Sequence, residues 1–292
     1  MDPYQQINSY FTRRERGGFA GKIVRSRFLI LAAAFVLPTF ARGNVWMDEL
    51  TDSAPGPLAV PADFEAKYEF GWSGFIGGGA TFRFTNDFEN DVYEVEAHGG
   101  TSGMARTLWR IDAEYRGRGR RTSLLPIGFS QTEKYRRYSL FTKAKFTKDF
   151  VERKIYRSTQ KEPQKWKKFR FPLLRDLVAS MLFVRSHSLK DGEKIVFLSF
   201  PGDSPFLVEM RVERRELINW QGGQRKAIRL NQKIRRIETK GAAAGSLTEH
   251  GKYRSGTIWI SDDEWRIPLR AEVNIFIGYV YGEMTELRWL KK

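Results

Sequence analysis

The stretch Phe171–Phe200, FPLLRDLVASMLFVRSHSLKDGEKIVFLSF, carries a helical apolar period followed at once by a strand. Pro172 fits a first helical turn, where its missing N–H costs no hydrogen bond. Leu174, Leu177, Val178, Met181 and Leu182 then recur at helical spacing and predict one apolar stripe. Arg175, Asp176, Ala179 and Ser180 fall on the other side, which is small and polar. Asp191-Gly192 ends the unit in a turn, and Val196, Leu198 and Phe200 form the next strand. The pattern predicts a helix at about 172–187. Such a helix either plugs a β-structure or covers a hydrophobic cavity as a lid lined by Met181 and Phe183, and periodicity does not separate the two.

Outward from this helix the chain reads as strands. Ala66, Tyr68, Phe70 and Trp72 alternate with Lys67, Glu69 and Gly71, the period of a strand buried on one face. Gly77-Gly78-Gly79 predicts a bend before Ala80, Phe82 and Phe84. Residues 101–109 fit a short helix or a crossing loop. Residues 130–157 read as a long two-stranded ribbon. Phe206–Val212, Ile228–Ile234 and Ile267–Ile277 alternate again, and 241–256 is a loop of small residues. Strands this regular and this closely spaced by turns imply a mainly β fold: strongly curved or barrel-like antiparallel sheet around one central helix.

The N-terminus is different in kind. Phe28–Phe40, FLILAAAFVLPTF, is an apolar run behind Arg13, Arg14, Arg16, Lys22, Arg25 and Arg27, with small residues at Thr39 and Ala41. That is the pattern of an export signal over 1–41, shorter than the roughly 20 apolar residues of a membrane span. Retention as an anchor is the alternative. A polar, proline-containing linker is expected over 42–63 and a single β-rich domain over 64–292. The expected location is periplasmic or extracytoplasmic. With no cysteine in the chain, the core alone must hold the fold. The formal net charge is +16, from 50 basic and 34 acidic residues. Loss of 1–41 removes six basic and two acidic residues, leaving 44 minus 32, or +12.

Four pieces in order carry a family resemblance: YEFGWSGFIGGGATFRF, LLRDLVASMLFVRSHSLKDGEKIVFLSF, the strand pair Phe206–Ile234, and GTIWISDDEWRIPLRAEV. Together they resemble the bacterial domain of unknown function 3108 family over about Phe64–Trp289. The resemblance implies an exported, β-rich protein and brings no catalytic residues. In outline the family is also similar to periplasmic lipoprotein carriers, whose curved sheet wraps a helix around an apolar cavity.

The residues offer little chemistry. His98, His187 and His250 are far apart and form no metal motif, and no cofactor is expected. Asp262-Asp263-Glu264 is either a solvated turn or a carboxylate cluster for acid–base work, which keeps an envelope hydrolase open as an alternative. The reading is a non-enzymatic role. The candidate ligand cavity lies beneath Leu174, Leu177, Val178, Met181 and Leu182. The candidate anionic-surface residues are Arg118, Arg120, Arg121, Lys165, Trp166, Lys167 and Lys168, where cations interleave with aromatics. Expected partners are a lipid, an anionic envelope polymer or an envelope protein meeting the basic ribbon. Export argues against nucleic acid, and cleavage of the signal would leave no integral membrane segment.

Overall fold

The computed structural model describes residues 45–52, 54–162, 164–249, 255–274 and 278–290. The expected export signal lies outside them. The strands run β1 (Phe64–Trp72), β2 (Phe75–Asp87), β3 (Val92–Thr101), β4 (Ile111–Arg120), β5 (Pro126–Tyr135), β6 (Ser139–Phe146), β7 (Val151–Arg157) and β8 (Lys167–Phe169). They continue with β9 (Lys194–Ser199), β10 (Phe206–Trp220), β11 (Gly223–Ile237), β12 (Leu247–Glu249), β13 (Gly256–Ser261), β14 (Pro268–Asn274) and β15 (Tyr279–Trp289). Two α-helices interrupt them, α1 (Gly103–Leu108) between β3 and β4 and α2 (Leu177–Ser186) between β8 and β9.

All fifteen strands join one antiparallel sheet, ordered β8-β7-β6-β5-β4-β3-β2-β1-β15-β14-β13-β11-β10-β9, with β12 paired only to β11. Turn chemistry sets the hairpins. Ser73 and Gly74, then Gln221 and Gly222, all take positive φ, the geometry that matches strand twist in two-residue turns. The expected glycine bend is a bulge: Phe70 faces Gly78 and Gly71 faces Ile76, which leaves Gly77 unpaired. The expected two-stranded ribbon at 130–157 is instead three strands, β5, β6 and β7, because Phe146–Val151 makes a second turn.

The ends of this order, β8 and β9, do not pair, so the sheet is curved and open. It rolls so that its last strand lies inside. On one face of β9, Ile195 and Phe197 pack with Phe183 and Val184 of α2. On the other, Val196 and Leu198 pack with Phe146, Val151 and Phe169 from β6, β7 and β8. Burial on both faces accounts for the unbroken apolar run Ile195–Leu198. The backbone edge of β9 is also covered. Thr51 N–H donates to the Val196 carbonyl at 2.9 Å, and the Arg175 N–H donates to Leu198 at 3.0 Å. Edges left bare invite aggregation, and this one is sealed by its own chain.

The residues before α2 are not helical. Leu173 takes φ 56°, and Arg175 bridges Ser199 of β9. The helix starts at Asp176, whose carboxylate accepts from the Ala179 N–H at 2.7 Å. The expected span of about 172–187 is thus too long at its start. The expected faces are corrected as well: Ala179 and Ser180 are buried, and Leu177 is 60% exposed. Helix α2 sits within the roll, with Leu182 against the β1–β4 and β13–β15 side and Phe183 and Val184 against β9–β11. It is a core plug.

The described residues of 42–63, a stretch expected to be a linker, contribute to the core. Trp46 is buried and its indole N–H donates to the Gly245 carbonyl at 2.8 Å. Pro55–Val60 lie across the end of α2, where the Leu58 N–H donates to Ser186 at 3.1 Å. A Cβ on Gly56 would stand 2.2 Å from the Ser186 carbonyl oxygen, so only glycine fits there.

The C-terminal end of α2 is held by two arginines. Arg185 is buried and donates to the carbonyls of Ala59 at 2.6 Å, Trp265 at 2.8 Å and Glu264 at 3.4 Å. Arg266 donates to the carbonyls of Arg185 at 2.9 Å and Ser188 at 3.1 Å, and to that of His187. Cations at this end also complement the helix dipole. Burial, and next the neighbouring Arg266, lower Arg185 to about 10, so it stays charged at neutral pH. Arg185→Ala strands three carbonyls and should cost about 3 kcal/mol or more in chemical denaturation, with Arg185→Lys recovering only part. An unchanged denaturation midpoint would contradict this role.

Candidate functional site

Side chains alternate across each strand, and directly paired residues in an antiparallel ladder share a face. One such row crosses the inner face of the roll: Trp72, Val280, Val273, Gly256, Gln232, Met210 and Ile195 pair in succession. At the β9–β11 end of this row α2 covers the sheet. A groove of about 100 Å³ remains there, lined by Leu177, Ser180, Met181, Phe197, Val208 and Met210 among others. At the β1 end none of the described residues covers the face. Tyr68, Phe70, Phe82, Ala97 and Ala113 are half-buried there, while Trp72, Phe75 and Val280 are exposed. The small residues Ala80, Gly99, Ala113 and Gly282 keep this half open.

Only part of the expected cavity set lies at this site. Leu177 and Met181 line the groove. Val178 packs into the core around Leu182, which is itself buried. Leu174 precedes the helix and fills the core with Phe169 and Phe200. Leu174, Val178 and Leu182 are therefore corrected from cavity lining to core.

Beside the groove lies a polar cluster that periodicity does not reveal. The carboxylate of Asp176 accepts from the Tyr115 hydroxyl at 3.3 Å as well as capping α2. Burial pushes its pKa up to about 6 against those hydrogen bonds. Tyr115 and Tyr93 are raised well above the usual phenol value, by burial first and then by the Asp176 charge. The adjacent Arg175 guanidinium lies 3.7 Å over the Phe183 ring. The cap signal was present in the sequence, since Asp176 directly precedes the apolar helix. The tyrosines come from strands whose register is not readable locally.

The expected anionic-surface residues do not form one free patch. Arg118 pairs with Glu94 at 2.9 Å across the β3–β4 ladder. Arg120 donates to the Asn90 carbonyl, and Arg121 donates to Asn86 and stacks over Phe88. Lys168 pairs with Glu152 at 3.0 Å and lies over Phe150. Lys165 and Trp166 are exposed, and Lys145 lies 5.3 Å from the Trp166 ring. Lys167 lies over Phe169 and is lowered by burial, then by Arg153, Lys240 and Arg236. Of these cations, Arg118 and Lys168 face carboxylates.

The aspartates of the 262–264 turn also face arginines. Asp262 pairs with Arg215 at 3.4 Å and Asp263 with Arg225 at 2.9 Å. Burial alone would raise Asp263, but hydrogen bonds from Ser261, Arg225 and two backbone N–H groups outweigh it and hold the carboxyl below its usual value. A general acid would need the opposite. Among the described residues no three His, Asp or Glu side chains gather to hold a metal ion. No described helix is long and apolar enough to cross a membrane.

Fold and site together define a class: a rolled antiparallel sheet around one helix, half filled and half open. The chain belongs to the family described as "Protein of unknown function (DUF3108)", whose model matches residues 63–285. No curated protein matches it by sequence. The "Beta-barrel-like Protein of Domain of Unknown Function DUF1849" from Brucella abortus shares the fold at TM-score 0.53 and 8% identity, covering 80% of this chain and 100% of that one. A putative exported protein with a YmcC-like fold from Bacteroides fragilis gives TM-score 0.35 at 8% identity over 80% of this chain and 99% of that one. The Mycobacterium tuberculosis lipoprotein LppX gives 0.26 at 9% identity over 80% and 89%. The last two likenesses are too distant to carry an argument.

Asp176 gives a signed pH test. Its folded pKa of about 6 lies above the unfolded 3.8, so the folded state holds a proton that the unfolded state has released. Stability from this group is present below about pH 4 and is lost as pH rises through 6, by about 3 kcal/mol. Asp176→Asn keeps the cap but cannot titrate. It should match wild type near pH 4 and exceed it near pH 7 in urea unfolding. Parallel pH profiles would contradict the burial of a charge here.

Proposed function

We propose that this chain is an exported, non-enzymatic cell-envelope protein that holds the apolar part of an amphiphile against the inner face of its sheet. The observation that carries this reading is the apolar surface running from the groove at Met210 to Trp72 and Phe75, left uncovered by α2. Ligand sites for small molecules occupy about 300–1,000 Å³. The groove alone is smaller, at about 100 Å³. It takes the end of an acyl chain, and the rest lies along the open half over Phe70 and Ala80. Two methionines at the groove, Met181 and Met210, suit a site that adapts to its occupant. Location in the envelope rests on the export pattern of residues 1–41.

The test is native mass spectrometry of the protein purified from its own envelope, with lipid extraction of what co-purifies. A stoichiometric amphiphile is expected. Phe70→Glu with Val280→Glu, both on the uncovered face, should release it while leaving the fold intact by circular dichroism. A clean ligand-free mass across preparations would contradict the proposal.

A further inference from the structure

One end of the roll carries a second feature, which shares Trp72, Phe75 and Val280 with the apolar face and adds residues that the ligand reading does not use. The β1–β2 hairpin presents Trp72, Phe75 and Ile76, and beside it α1 presents Met104 and Leu108, followed by Trp109 at its C-terminal cap. Phe75, Met104 and Leu108 are 72%, 80% and 77% exposed. The two elements are joined, since the Ser102 N–H donates to the Gly77 carbonyl at 3.0 Å. Val280, opposite Trp72, adds to the same rim.

Helix α1 is unusual in water. It has six residues and buries none of them. A helix so short is marginal alone, and its apolar side chains find no core. Large apolar side chains contiguous at a surface mark a contact site. The charge pattern says what kind. Residues Trp72–Phe82 contain no charge, and Thr101–Ile111 contain Arg106 and Arg110 but no acid. Arg106 pairs with Asp112 at 2.6 Å, and Arg110 lies 3.6 Å from it. Arg136 donates to the Thr107 carbonyl at 2.6 Å, and Arg137 is exposed beside it. The result is an apolar centre of tryptophan, phenylalanine, isoleucine and leucine with arginines around it.

We infer that this rim is a membrane-docking surface that inserts its apolar side chains into the headgroup layer of an anionic bilayer. Tryptophan and aliphatic side chains partition there, and arginines gain from anionic lipid phosphates. A second copy of this chain fits less well, because it would bring two arginine collars together. Docking would set the open half of the roll onto the bilayer, yet it does not depend on any ligand being held.

The absence of cysteine allows a site-specific test in the full chain. Phe75→Cys is labelled with an environment-sensitive nitrobenzoxadiazole dye, and Leu217→Cys, exposed in the β10–β11 hairpin, serves as the control. Each is mixed with vesicles of phosphatidylethanolamine and phosphatidylglycerol, and with phosphatidylcholine alone. The label at 75 should shift to the blue, gain intensity severalfold and be quenched by doxyl-lipid, more strongly with phosphatidylglycerol. The label at 217 should not respond. Ile76→Asp with Leu108→Asp, checked for folding by circular dichroism, should weaken partitioning at least about tenfold. An unresponsive label at 75 in both vesicles, or an equal response at 217, overturns the inference. So does a label at 75 that answers only to envelope protein, which would assign the rim to a protein partner. Because lipid vesicles alone are the probe, the result is independent of whether an amphiphile co-purifies.

Discussion

The buried guanidinium of Arg185 ties two otherwise separate parts of the chain to the end of α2. Its hydrogen bonds reach Ala59 in the segment before β1 and both Glu264 and Trp265 in the turn before β14. A charged group inside a protein is tolerated only when its donors are satisfied, and carbonyl oxygens at a helix end supply that. Arginine suits the place because it presents a planar set of donors and keeps its proton when buried. With Arg266 on the same carbonyl end, the C-terminal end of the helix is tied to the chain around it.

The position of α2 decides what the sheet can do. Phe183 and Val184 give the inner strand β9 a second apolar face, and the sheet rolls until β6–β8 cover the first. Helix α2 starts where its cap, Asp176, meets Tyr115. Around α2 the interior is filled by three apolar clusters. Toward β1 the inner face is left uncovered by the described residues, and small residues line it. The half-filled roll makes an apolar surface that water alone would disfavour, and this links the fold to the proposed amphiphile and to the rim of Trp72 and Phe75.

Much of this was legible in the sequence. Period-two alternation placed β1, β2, β10, β11 and β14, because those strands have one face buried. The family followed from the order of four pieces. The helix was found but misplaced. Pro172 looked like a first-turn residue, and the cap at Asp176 was read as a position on the polar face. The face assignment failed for a physical reason: a helix buried on most sides has no polar side, so Ala179 and Ser180 are inside for lack of room. Trp46 was missed because its partner Gly245 lies 199 residues away. Arg118 and Lys168 meet Glu94 and Glu152 across strands, partners set by register, which local pattern does not give.

The central claim is that α2 is a plug and not a lid, and native-state amide hydrogen exchange tests it most directly. The amides of Ser180, Phe183 and Val184 should exchange only through global unfolding, with the same denaturant dependence as those of β9 and β11. Exchange of the helix by a denaturant-independent opening, while the sheet stays protected, would show the helix leaving the roll and would contradict the account.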